Sequence, residues 1–218
     1  MVFTGDGAVY SIAGRTLLIA GSATLISSVL FIPLGCLVHF SRFRGKGLVV
    51  TVIQALYSIP TVLVGMLVFI FVSRAGPLGS LGLLFTPAAI VIGEVILVAP
   101  IITGLTVSTL RGMGREVRDT ALSLGAGRGR MVVKVLAESR EAVLTAMLIA
   151  FGRTVSEVGI AIMVGGNISG YTRTLTSTIV LGVGRGETAF SMALGMILLV
   201  LAMMVSISAG TLRKSGRK

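Results

Sequence analysis

The sequence predicts an all-α integral membrane protein with about five transmembrane helices, N-terminus outside and C-terminus inside (N-out/C-in), and three observations carry that prediction. Hydrophobic residues make up 54% of the 218 residues and charged residues 12%, with a mean hydropathy of +1.01, whereas a soluble domain carries about 25% charged residues. Two stretches, Thr16 to Ser41 and Gly47 to Ser73, hold no Asp, Glu, Lys or Arg, and roughly 20 apolar residues cross a hydrocarbon core of about 30 Å. The Lys and Arg residues gather in alternate connecting segments, the pattern that sets membrane orientation.

Residues 1–11 read as an extracytoplasmic tail. Asp6 is acidic and lies between Gly5 and Gly7, and no basic stretch precedes an apolar one, which argues against a signal peptide. Residues 12–210 read as one transmembrane domain, with spans at about 16–40, 48–72, 83–107, 142–165 and 188–209, each long enough with modest tilt. Segments 41–47, 108–140 and 210–218 then lie inside. They hold Arg42, Arg44 and Lys46; Arg111, Arg115, Arg118, Arg128, Arg130, Lys134 and Arg140; and Arg213, Lys214, Arg217 and Lys218. Outside fall Arg15, Arg74, Arg173 and Arg185, while Arg153 lies within a span. The net charge of +11 therefore follows from topology, and no nucleic-acid partner is implied. Residues 211–218 form a basic cytoplasmic tail. Pro60 and Pro100 are expected to kink the second and third spans.

The connection at 108–140 is far longer than the one at 41–47 and is patterned as helix. Val117, Ala121 and Leu124 recur at i, i+4 and i+7 as an apolar stripe. Gly125 stands where such a helix stops, Ala126, Gly127 and Gly129 make a turn, and Met131 to Ala137 forms a second apolar run. Two readings stand for this hairpin: it docks its stripe in the groove of a partner, or it lies on the membrane with Arg128, Arg130 and Lys134 against anionic lipid.

Asp119, Thr120 and Ala121, followed by Gly125, resemble the EAA signature of ABC importer permeases, and Val135 falls at the family's downstream aliphatic position. Asp stands for the family's Glu, Thr120 for its first Ala, and Glu138 where a proline is common. The runs Phe151-Gly-Arg-Thr-Val-Ser-Glu-Val-Gly, Met163-Val-Gly-Gly-Asn-Ile and Gly170-Tyr-Thr-Arg-Thr-Leu-Thr are similar to the tungstate-type branch, as are Phe3-Thr-Gly-Asp, Gly76-Pro-Leu-Gly and Leu83-Leu-Phe-Thr-Pro. The resemblance covers most of the chain. It implies the type I ABC importer permease fold, a homodimer in the plasma membrane, cytoplasmic ABC ATPase subunits docked through Asp119, Thr120, Ala121 and Gly125, and an extracytoplasmic oxyanion-binding protein. Molybdate or another oxyanion is the alternative cargo.

Glu94, Arg153 and Glu157 fall within spans, where charge is costly and faces a bundle interior or a watery path. At 1.5 Å per residue, Glu94 and Arg153 each lie roughly 16 Å along their spans, from opposite membrane faces. Because those spans run antiparallel, a Glu94 to Arg153 pair is allowed, as is an i to i+4 pair between Arg153 and Glu157. Arg153 lining an anion path is the functional alternative to either structural pair. On the outside, Asn167, Tyr171 and Arg173 stand among Gly165, Gly166, Thr172, Thr174 and Thr176, a set of donors suited to an oxyanion, to a docking rim or to an ordinary solvated loop.

Cys36 and His39 are each the sole residue of their type, so neither a disulfide nor a metal centre is expected, and no cofactor is. No phosphate-binding G-x-x-x-x-G-K-[ST] run occurs, so ATP hydrolysis is expected from a partner subunit rather than from enzymatic activity of this chain. An ion-coupled secondary carrier is the competing class, and repeated halves would favour it. A non-transporting membrane scaffold, tolerant of losing residues 119–125, is a third reading.

Overall fold

The computed structural model describes residues 7–112, 120, 123 and 127–215, and every regular element among them is helical. Helix α1 runs from Gly7 to Phe40, 34 residues including Pro33, about 50 Å at the standard rise. It begins well before the predicted span because nothing in Gly7–Arg15 breaks a helix.

The second span is not one kinked helix. It consists of α2 (Lys46–Ala55), a 3-10 turn (Leu56–Ser58) and α3 (Thr61–Val72), and the two halves meet at 97°. Pro60 has no N–H and pushes the residue before it out of the helical region; Ile59 accordingly sits at φ −60°, ψ 131°. The ladder stops there and restarts when Leu63 N and Val64 N both donate to Pro60 O, at 3.0 and 3.2 Å.

Helix α4 (Pro87–Gly112) places Pro87 in its first turn, where a missing donor costs nothing, and Thr86 Oγ1 accepts Ala89 N at 3.3 Å. Pro100 lies inside α4 without ending it. After the connection that follows α4 come α5 (Arg128–Glu138) and α6 (Arg140–Val155). The fourth span, expected as one helix, is two: α6 ends at Val155 and α7 (Gly159–Gly165) follows. The expected outside loop also contains a helix, α8 (Leu175–Gly184), before α9 (Thr188–Ser215) closes the chain. Among the described residues, three helices are long and apolar enough to span a membrane alone, or four if the bent α2–α3 pair counts as one.

Helix α4 is the hub. In its most apolar window 56% of residues are buried, against 33% in α1 and 17% in α9. Ile90 and Leu97 of α4 join Ile19 of α1, Val64, Val68 and Val72 of α3, and Ile160 and Val164 of α7 in one cluster. Small residues allow close helix approach, as is usual between membrane helices. A Cβ on Gly35 of α1 would lie 2.7 Å from Thr106 Cβ, and one on Gly104 of α4 would lie 1.8 Å from the Tyr57 hydroxyl oxygen. Outward, Leu18 and Val29 of α1 are both 72% exposed and Met192 of α9 is 71% exposed; apolar surface of that extent suits lipid.

A second cluster ties α5 to the bundle: Met131 and Val135 pack on Cys36 of α1 and Leu110 of α4. The end of α1, with Arg42 and Lys46 in the chain that follows it, and the end of α4, which carries Arg111, therefore lie with α5. At the opposite end Phe85 N donates to Val164 O at 2.8 Å and Leu175 N donates to Thr16 Oγ1 at 2.9 Å.

Candidate functional site

The break in the fourth span gathers the intramembrane charges. Glu157 lies just past the last turn of α6, with its backbone N donating to Thr154 O at 3.0 Å. Its side chain spans the gap: Oε2 accepts Arg153 Nη1 at 3.2 Å and Oε1 accepts Ile160 N at 3.2 Å. The second bond places a carboxylate on a free donor of the first turn of α7, where such groups stabilise a helix start. The Glu157 carbonyl, released by the break, accepts Thr176 Oγ1 of α8 at 2.7 Å. The junction is thus tied by its own Arg153 and Glu157 side chains and by Thr176 of α8.

Of the two ion pairs allowed by sequence, the i to i+4 pair between Arg153 and Glu157 forms, and no Arg153–Glu94 pair is present among the described residues. The partners differ in environment, since the Glu157 side chain is 2% exposed and that of Arg153 is 35% exposed. Glu94 enters from α4, is 3% exposed, is an electrostatic neighbour of Glu157, and leaves its Oε2 without a hydrogen-bond partner. Gly93 permits this approach, because a Cβ there would sit 2.5 Å from Ile160 Cγ2.

Segment 165–178, expected as an outside loop, is folded rather than loosely solvated. Thr172, wholly buried, donates to Gly165 O at 2.5 Å and accepts Ile168 N at 2.9 Å. Asn167 sits at φ +50°, a left-handed conformation that asparagine tolerates better than most residues. Its Oδ1 accepts Ser177 Oγ at 2.9 Å and Arg173 Nε at 3.3 Å, while Arg173 Nη2 donates to Asn167 O at 3.3 Å. Asn167 Nδ2 also donates to Ser177 O at 3.5 Å, so Asn167 and the Nε and Nη2 donors of Arg173 are engaged within the fold, and Tyr171 is the exposed member of the predicted trio. Thr174 and Ser177 cap α8 reciprocally.

Two residues of α1 not singled out by sequence hold this segment. Arg15 donates from Nη1 to Arg173 O at 3.0 Å and from Nη2 to Gly170 O at 2.9 Å. Thr16, 4% exposed, provides the acceptor for Leu175 N. Replacing Thr16 with Val keeps the shape and removes that acceptor, so the buried Leu175 N–H is left unpaired. A loss of about 1–2 kcal/mol is expected, read as a lowered unfolding midpoint, whereas Thr16→Ser should retain stability.

In the connection between α4 and α5, Thr120 is helical and exposed, while Asp119, Ala121 and Gly125 lie outside the described residues. On α5, Lys134 Nζ lies 2.9 Å from Glu138 Oε1, and the hydrogen bond from Lys134 holds the Glu138 carboxyl below the usual range. A cleft of about 460 Å³ opens beside it between α4 and α6, where Ser108, Thr109, Thr145 and Glu141 face Leu105 and Ile149.

Residues 31–214 match the family described as binding-protein-dependent transport system inner membrane component. The chain is 36% identical over 201 residues to the tungstate uptake system permease protein TupB of Peptoclostridium acidaminophilum, covering 92% of this chain and 88% of that one. It is 32% identical to TupB of Campylobacter jejuni, covering 99% and 90% respectively. Among solved structures, an inward-facing MetNI methionine ABC transporter chain superposes with a TM-score of 0.77 at 17% identity, with 99% of both chains covered. A helical bundle with a bent span and a broken one, matched in fold to such a transporter and in sequence to these permeases along nearly its whole length, belongs to the inner-membrane components of binding-protein-dependent transport systems, the type I permeases of ABC importers, and is a multi-pass inner-membrane protein.

Proposed function

We propose that this chain is the permease subunit of an ATP-driven tungstate importer, working as a homodimer with cytoplasmic ATPase subunits and an extracytoplasmic oxyanion-binding protein. The observation that carries the reading is its one-third identity to two tungstate uptake permeases over nine-tenths or more of its length. In this reading the membrane is crossed five times with the N-terminus outside. The clustering of Arg42, Lys46 and Arg111 with α5 at one end of the bundle supports that orientation. Residues 119–125, carrying Asp119, Thr120, Ala121 and Gly125, take the thrust of the ATPase, and α5 passes it to α1 and α4 through Met131 and Val135. The pair Arg153–Glu157 lies beside the path, and the face bearing Tyr171 receives the binding protein.

The test is uptake by proteoliposomes containing the permease, its ATPase and its binding protein. ATP-dependent accumulation of tungstate is expected, with molybdate and sulfate carried at less than a tenth of that rate. Equal transport of molybdate would move the assignment to oxyanions generally, and accumulation without the ATPase would overturn it. Deletion of residues 119–125 is expected to leave the chain in the membrane but abolish co-purification of the ATPase.

A further inference from the structure

Helix α2 has three faces, and one of them is unsuited to lipid. The first packs on α4: Val50 is buried, and Tyr57, in the turn that follows, lies against Gly104. The second is apolar and exposed, with Leu48 at 70%, Val52 at 49% and Leu56 at 41%, as expected for contact with acyl chains. The third carries Thr51, Gln54 and Ser58, all exposed. At about 100° per residue Thr51 and Gln54 lie roughly 60° apart around the axis, and at about 120° per residue through the 3-10 turn Ser58 lies within roughly 100° of Gln54. Thr51 Oγ1 donates to Gly47 O at 3.0 Å, but neither the Gln54 amide nor the Ser58 hydroxyl bonds to any described residue. Leaving such groups in hydrocarbon costs several kcal/mol each, so this face meets water or polar protein rather than lipid.

The location of the stripe says where that water leads. It climbs about 10 Å from Thr51 to Ser58, starting near the end that carries Lys46 and stopping at the 97° bend. Irregular backbone at membrane depth is tolerated where it is buried in protein or lines a water-filled cavity; Ser58 and Pro60 at this bend are both exposed. Just beyond, the bend meets the break in the fourth span. The position a Cβ would take on Gly159 is 3.1 Å from Thr61 Oγ1 and 3.3 Å from Glu157 Oε1. The stripe therefore rises to the level of the partly exposed Arg153. Its groups are neutral hydroxyls and an amide, with no carboxylate to repel an anion.

We infer that Thr51, Gln54 and Ser58 line the inner half of an aqueous path, along which an oxyanion released near Arg153 passes to the cytoplasm by exchanging water for weak neutral donors. This assignment rests on the permease reading above.

The experiment uses the complete complex in proteoliposomes. Cys36, buried and the sole cysteine, is replaced by Ala. Single substitutions Thr51→Cys, Gln54→Cys and Ser58→Cys are compared with Leu48→Cys, Val52→Cys and Leu56→Cys on the same helix, and tungstate uptake is measured in each. A charged, membrane-impermeant methanethiosulfonate is expected to modify the first three at least ten-fold faster than the second three, with modification slowed by saturating tungstate during turnover. Equal, slow modification of all six in complexes that still transport would overturn the path. So would a disulfide between Gln54→Cys residues of two copies without aqueous reactivity, since the face would then be a protein interface. Fast modification of the stripe in a complex that imports molybdate and not tungstate would leave the path standing and refute the substrate.

Discussion

Arg153→Gln should destabilise the folded chain by about 3 kcal/mol, while Glu94→Gln should leave stability unchanged or raise it by about 1 kcal/mol. The asymmetry follows from the site. Removing the guanidinium leaves Glu157 buried with a single compensating donor, Ile160 N, beside a second carboxyl at Glu94. Breaking a buried pair from one side costs about 3–5 kcal/mol, and the lower end applies because water reaches the Arg153 side chain. Glu94 Oε2 has no hydrogen-bond partner among the described residues, so replacing its buried carboxyl with an amide of the same shape breaks no described bond and removes an acid beside Glu157. The double variant Arg153→Gln/Glu157→Gln should recover part of the loss, whereas Arg153→Gln/Glu94→Gln should recover less. Unfolding free energies measured in bicelles for these variants and for Glu157→Gln, which completes the second cycle, decide the matter. If Glu94→Gln proves as damaging as Arg153→Gln, the pairing described here is wrong.

Gly104→Ala should cost about 2 kcal/mol even though alanine favours a helix interior over glycine by about 1 kcal/mol. The new methyl would meet the Tyr57 hydroxyl oxygen at 1.8 Å, Cζ at 2.7 Å and Cε1 at 2.9 Å. Overpacking of this kind ordinarily costs about 1–3 kcal/mol, and here the ring lies in the turn that enters the bend, so its displacement also tilts α2. Tyr57→Leu removes all three atoms. Gly104→Ala in that background should therefore be neutral or mildly stabilising relative to Tyr57→Leu alone. The readouts are thermal stability of the purified permease and its uptake rate with the complex assembled. Additive losses in the double variant would show that the ring does not sit over Gly104.

Residues 151–165 show where sequence reasoning stopped short. They contain no proline, and their hydropathy runs on, so a continuous fourth span was the natural reading. The break is accommodated there because a distant donor, Thr176, 19 residues away, satisfies the Glu157 carbonyl. One local signal was available for α8: Thr174 and Ser177 stand three residues apart before an apolar run, the spacing of a reciprocal cap. Pro60 was legible as a disturbance but not as a 97° turn, because a proline sets which hydrogen bonds are lost and neighbouring helices set the angle. Arg15 gave no cue at all, since its partners Gly170 and Arg173 are more than 150 residues distant.

By itself the sequence determined the solvent this protein lives in, the charge asymmetry of its ends and its family, because hydropathy and the placement of Lys and Arg act additively along the chain and need no partner. The tertiary structure alone decided which acid Arg153 pairs with, where two spans break, and which face of α2 is left polar and unpaired. Those outcomes depend on pairwise distances between helices, and an apolar span can rotate or bend against its neighbours without changing a single residue that hydropathy would count.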